Sequence, residues 1–196
     1  MLSSYLPLVL LLSLTASCEG SSVPFNDNFD TLPAVPDEIT SPIGVYNGLN
    51  FSNLFVNQPG VPGIITLNGV APKSDPNQAL GGLSKQASTI SVPATGPAKT
   101  FSLDSFYYGC SVDTAQGLAD PAQPCNITVT GYSSGKVKVS QKFNFVPIEK
   151  ITLMQAPVFG AFKGFSGLDK ATFVQTPGNP AAVLLIDDLV GSYQKP

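Results

Sequence analysis

Between residues 101 and 146 the apolar positions fall into short alternating runs. Phe101 and Leu103 lead into Tyr107-Tyr108. Ile127/Val129 and Val137/Val139/Phe143/Phe145 follow on either side of the turn letters Ser133-Ser134-Gly135. A period of two marks strands with one buried face, and a turn between two such runs makes an antiparallel hairpin. Phe25 and Phe29 alternate with polar neighbours and predict a first short strand, while Pro33–Pro42 reads as an extended loop. Tyr46–Val56 reads as a loop running into a strand. Further strands are predicted at Gly63–Leu67, Ile90–Val92, Ile148–Met154 and Ala171–Gln175. Residues 57–100 are otherwise turn-rich, with an irregular connection carrying Asp75, Asn77 and Gln78. Ala182–Leu189 is a near-continuous apolar strand that ends in Asp187-Asp188. Phe159, Phe162, Phe165 and Leu168 have helical spacing, but Gly160, Gly164 and Gly167 oppose a helix there. No other window holds a helical period, so the expected fold is all-β, an antiparallel β-sandwich.

The first residues change the picture of where such a chain works. Leu6–Leu14 is apolar and followed by small residues; that is too short to cross a bilayer core of roughly 30 Å. It fits the hydrophobic part of a signal peptide over residues 1–18, cleaved between Ser17 and Gly20, although no Lys or Arg precedes it. Residues 19–196 then form one domain, expected in the secretory pathway or outside the cell, with no membrane span. Of the three cysteines Cys18 leaves with that segment, so Cys110 and Cys125 remain as an even pair and are expected to form a disulfide. Closing that loop stabilises by roughly 3 kcal/mol in the chain-entropy picture. Two glycosylation sequons, Asn50-Phe51-Ser52 and Asn126-Ile127-Thr128, agree with export.

Composition narrows the chemistry. Charged residues make up 12% of the chain, the ten basic residues are all lysine, there is no histidine, and the net charge is −3. Without arginine forks or a basic surplus, nucleic acid is not an expected partner. Lys136, Lys138 and Lys142 read as a solvated face protecting a sheet edge. The absence of histidine removes Ser-His-Asp and Cys-His catalysis and His-ligated zinc or iron. A glycosidase would need two facing carboxylates, and Asp104, Asp113, Asp120 and Glu149 show no distinctive spacing. A sugar-binding sandwich would use exposed aromatics, but there is no tryptophan. A concerted cycloaddition needs neither nucleophile nor metal. It needs a dry pocket that orients two apolar partners, and one hydrogen-bond donor for a developing oxygen charge. Tyr107 and Tyr108 are consecutive, so one points into the sandwich and the other out. The inward one is a core tyrosine with a satisfied hydroxyl or the donor of such a site.

The blocks FDTL (Phe29–Leu32), YNGLNFSNL (Tyr46–Leu54), FSLDSFYYGC (Phe101–Cys110), TVTGY (Thr128–Tyr132), FGAFKGFSGLDKATF (Phe159–Phe173) and LLIDDL (Leu184–Leu189) occur in this order. In them the chain resembles a widespread family of small secreted fungal proteins, whose relatives elsewhere are jelly-roll, galactose-binding-like sandwiches. Many relatives carry Trp after the Gly-Leu block, where this chain has Phe51. The resemblance implies a jelly-roll-like sandwich. Through a few characterised members it also implies the hetero-Diels–Alderases of tropolone sesquiterpenoid biosynthesis, which join a polyketide-derived quinone methide to a humulene-type terpene. On that reading Tyr107 and Tyr108 are the catalytic candidates, and Tyr46 and Phe51 bind apolar small-molecule substrates. No organic cofactor is required, and a homo-oligomer is left open. In jelly-roll relatives a structural calcium sits between adjacent terminal strands. Here the paired Asp187-Asp188 near the C-terminus and Asp27 and Asp30 near the start point to that ion, with Asp30 and Asp187 as its ligands; the alternative is solvated strand-end acids. The competing reading is a non-catalytic carbohydrate-binding or cell-surface protein of the same fold.

Overall fold

The alternating runs become strands. The computed structural model describes residues 20–36, 39–59, 67–82, 86–112, 119–148, 154–176 and 182–195. The proposed signal segment lies outside the described residues, as do most of the predicted strands at Gly63–Leu67 and Ile148–Met154. Thirteen strands are formed among the described residues: β1 (Ser22–Asp27), β2 (Ile39–Tyr46), β3 (Leu49–Asn57), β4 (Leu67–Asn68), β5 (Gln78–Gly81), β6 (Ser88–Ser91), β7 (Thr100–Val112), β8 (Ala119–Asp120), β9 (Cys125–Ser133), β10 (Lys136–Phe145), β11 (Val158–Ala161), β12 (Lys170–Thr176) and β13 (Ala182–Gln194). No helix of the described residues is long and apolar enough to cross a membrane.

Nine strands follow the order β10-β9-β12-β6-β3-β5-β13-β7-β11, with β1 added to β13 and β2 to β3; β4 and β8 form a small parallel pair. All pairings within the large sheet are antiparallel. β3 carries the sheet from one layer to the other. Asn50–Ser52 pair with β6 and Leu54–Asn57 with β5, and Asn53 between them has φ 56°. The layers meet through aromatic rings: Phe106 of β7 lies 4.9 Å from Phe143 of β10, 4.8 Å from Phe162 and 6.1 Å from Phe173 of β12. Ring pairs at these distances add to the area that each buries. At the far edge Gln141 Nε2 donates to Ala161 O at 2.8 Å, drawing β10 and β11 together. The result is the expected all-β, jelly-roll-like antiparallel sandwich, tied by the expected Cys110–Cys125 disulfide between β7 and the start of β9.

Local sequence explains the sharp turns. Asn47 and Gly48 (φ 45° and 85°) close β2–β3, and Ser134 and Gly135 (φ 52° and 73°) close β9–β10. Two residues with positive φ in a two-residue loop match the right-handed twist of the strands they join. Several boundaries differ from the expectation. Phe29 follows β1 at φ 62° and is fully buried, rather than continuing the strand. The Pro33–Pro42 stretch is not loop to its end, because β2 begins at Ile39 and takes Pro42 in at an irregularity of the β2–β3 register. The connection after residue 70 contains β5, whose four residues are all buried. Val137 was expected on the buried face but is 64% exposed, since the β9–β10 register shifts between Val137 and Val139. One extra residue turns the side chain to the opposite face.

Candidate functional site

β7 divides the two consecutive tyrosines between its faces. Tyr108 is 4% exposed, stacks on Phe106 at 4.9 Å, and donates its hydroxyl to Asn144 O at 3.0 Å. Burial pushes its pKa up, partly offset by that hydrogen bond. Its one proton is committed to that backbone carbonyl. Tyr107 points the other way and is half-buried. Its ring packs edge-on to Phe159 at 5.5 Å, its neighbour in the β11–β7 register, and Lys73 Nζ lies 5.0 Å from its centre. The Tyr107 hydroxyl makes no hydrogen bond among the described residues. Phe159 is 55% exposed, with exposed Val158 beside it.

A segment from another part of the chain builds the rim of this face. Gly109 lies two residues beyond Tyr107, and a Cβ there would sit 2.7 Å from Val70 Cγ1, so glycine lets residues 69–71 lie directly on β7. Ala71 N donates to Gln155 O and Gln155 N to Gly69 O, both at 2.9 Å, which holds the segment beside the approach to β11. Asp187, opposite Tyr107 in the β13–β7 register, accepts the Lys73 and Ser74 N–H groups on Oδ2 at 2.6 and 2.9 Å. Its Oδ1 accepts the Asp188 N–H at 2.8 Å. Burial raises the Asp187 pKa to about 7; the N–H bonds oppose the shift and the Asp188 charge adds to it.

Tyr46 and Phe51 lie in a separate aromatic group with Phe29. Phe29 is 5.8 Å from Tyr46 and 5.7 Å from Phe51. Phe51 is 2% exposed, so its ring is spent on the core and offers no surface to a ligand. Tyr46 is half-buried with its hydroxyl 3.1 Å from Thr31 Oγ1. No ring contact among the described residues joins this group to Tyr107. Asn126 is exposed on β9, and half-buried Asn50 on β3 donates Nδ2 to Ser52 Oγ at 3.1 Å, within its own sequon. Of the carboxylates weighed for glycosidase chemistry, Asp104 is exposed, and Asp113 and Glu149 lie outside the described residues.

The acids assigned to calcium are held by N–H donors. Besides Asp187, Asp30 accepts the Asn77 N–H on Oδ1 at 3.1 Å. Among the described residues no group of three or more His, Cys, Asp or Glu side chains is placed to hold a metal. Yet three buried side-chain oxygens lack a hydrogen-bond partner among the described residues: Asp27 Oδ2, Ser74 Oγ and Asn77 Oδ1. Asp27 closes β1 and pairs with Leu189. Asn77 donates Nδ2 to Phe29 O and Leu32 O, and Ser74 is bonded through its N–H to Asp187. The other Asp27 oxygen accepts Asn47 Nδ2 at 2.7 Å, and burial raises the Asp27 pKa to about 7. A carboxylate, an amide oxygen and a hydroxyl without donors are each the kind of hard oxygen that a cation such as calcium takes. Sequence reading passed over Ser74 and gave Asn77 no role, because neither carries a motif.

No family model matches the chain, and no curated protein matches it. Among solved structures it is similar to a DUF4465 family protein from Bacteroides caccae, at TM-score 0.52 and 12% identity, over 95% of this chain and 99% of that one. Likeness at that identity speaks to the fold alone.

Proposed function

We propose that this chain is a secretory-route β-sandwich that takes apolar small molecules on the face formed by Tyr107, Phe159 and Lys73. Following the block resemblance, its reaction is a cofactor-free hetero-Diels–Alder cycloaddition between a quinone methide and a humulene-type alkene. The observation that carries this reading is the pairing of a Tyr107 hydroxyl that makes no hydrogen bond among the described residues with the exposed Phe159 ring on the β7–β11 strand pair. The rings supply an apolar wall that orients a partner. The hydroxyl supplies a donor for the oxygen on which charge grows. Export would remove residues 1–18 and add glycan at Asn50 and Asn126. A hard cation, where present, would draw on the donor-free oxygens among Asp27, Ser74 and Asn77, and takes no part in the chemistry.

The test is incubation of the purified, folded protein with a quinone-methide precursor and a humulene-type alkene, scoring rate and product ratio against the uncatalysed background. Unchanged values across a suitable substrate panel would sink the cycloaddition. The competing reading is a carbohydrate-binding sandwich, for which the half-buried Tyr132 and the hydroxyls of Thr130 and Ser140 on β9–β10 are the best surface. Lys170 Nζ stands 4.4 Å from the centre of the Tyr132 ring, much as Lys73 Nζ stands 5.0 Å from that of Tyr107. Binding on a glycan array with no cycloaddition would favour this alternative.

A further inference from the structure

We infer that Lys73 reads charge on the Tyr107 face, selecting apolar, ring-bearing ligands that carry one anionic oxygen group, such as a carboxylate or phenolate. The inference rests on the reading of that face as a ligand site. Lys73 is exposed, and among the described residues its ammonium has no carboxylate partner. Its nearest charged neighbours in the chain and register are Asp75, Asp187 and Asp188. Asp187 is engaged with backbone N–H groups rather than with the ammonium. Among the described residues the one contact of Lys73 Nζ is the Tyr107 ring at 5.0 Å. A cation over an aromatic face keeps most of its hydration and can still take an anion.

What separates Lys73 from an ordinary surface lysine is how its backbone is held. Two N–H groups, its own and that of Ser74, bond to one buried carboxylate oxygen from a strand 114 residues away. That carboxylate lies opposite Tyr107 in the register. The Lys73 main chain is therefore fixed above the ring, and the side chain gives up less freedom on meeting a ligand than one on a free loop. Asp187 is a positioning residue here, and Lys73 makes the contact. A ligand whose rings lie on Phe159 and Tyr107 would have its edge beside both the Tyr107 hydroxyl and the ammonium. A neutral hydrocarbon would gain only the apolar contact.

Two fluorescent probes separate these contributions, because they share one skeleton and differ by a sulfonate. They are 1-anilinonaphthalene-8-sulfonate and neutral N-phenyl-1-naphthylamine. The anion is expected to bind the whole mature protein about two- to fivefold more tightly, the range of one exposed charge pair. Raising the salt concentration should narrow the gap. Lys73→Met should bring the anion to the affinity that the neutral probe has for the same variant, and Lys73→Arg should restore the preference. Phe159→Ala should weaken both probes. Equal affinities in the unaltered protein would overturn the role of Lys73 while leaving the face a ligand site. A preference that survives Lys73→Met would overturn it as well, by placing the cation elsewhere. If neither probe binds, or Phe159→Ala affects neither, the reading of the face itself falls and the inference with it.

Discussion

Replacing Asp27 by asparagine probes a buried carboxyl group that is costly to ionise. Asp27 is fully buried, one oxygen accepts Asn47 Nδ2, the other has no donor, and its pKa rises from 3.8 to about 7. A folded-state pKa above the unfolded one means that the native chain holds the proton more tightly. The resulting stability is complete below pH 3.8 and is lost as pH rises through about 7. A rise of about three units at about 1.36 kcal/mol each gives on the order of 4 kcal/mol between those limits. For a domain of this size that is on the order of 10 °C in Tm. Asparagine has the shape of the protonated acid and cannot ionise. The assay is thermal unfolding followed by circular dichroism, in EDTA, from pH 4.5 to 8. Unaltered protein should lose stability across this range, and Asp27→Asn should lose less. Asp187 still titrates in the variant, so the difference between the two curves isolates Asp27. Added calcium should stabilise the unaltered protein, more at pH 8 than at pH 5, because metal and proton compete for one carboxylate. It should do little for Asp27→Asn. Superimposable pH curves for the two proteins in EDTA would refute the reasoning about Asp27, whatever calcium does.

Other outcomes follow from named contacts. Tyr108→Phe should cost about 0.5–1.5 kcal/mol in denaturant unfolding, because it removes the hydrogen bond to the Asn144 carbonyl; Tyr107→Phe should leave stability unchanged and, under the cycloaddition reading, lower turnover about 10- to 1000-fold. Gly191→Ala should fail to give folded protein at ordinary temperatures, since its Cβ would lie 2.2 Å from Ser102 O, a backbone atom with nowhere to move; soluble expression and Tm check it. Mature protein from a eukaryotic host should show no alkylatable thiol before reduction and should lose mass on deglycosylation, with Asn126→Gln removing the larger share because Asn126 is exposed. Intact mass spectrometry decides both.

Much of this fold was legible without coordinates, and the reason is local. A strand with one covered face writes its burial into every second residue, as Ile127, Val129, Phe143 and Phe145 do, and Ser134-Gly135 closes the turn between two such strands. Parity alone paired Cys110 with Cys125 and put Tyr107 and Tyr108 on opposite faces. The same rule failed where its premise fails. β5 is covered on both sides and shows no alternation, so it passed for irregular chain. Past the bulge at Val137 the count is off by one. Period can say that one tyrosine points outward, but not what meets it there. That Lys73 lies over Tyr107 follows from Asp187, which holds its backbone across 114 residues, and from the bare Cα of Gly109, which admits Val70. The orphaned oxygens of Asp27, Ser74 and Asn77 are likewise visible only once the fold has removed water from around them. Sequence by itself determined strands, turns, disulfide and the exclusion of histidine chemistry, because those depend on neighbours along the chain and on composition. The placement of charge and bare oxygen around Tyr107 and Asp27 depends on which distant segments share a face, and only tertiary structure decided that.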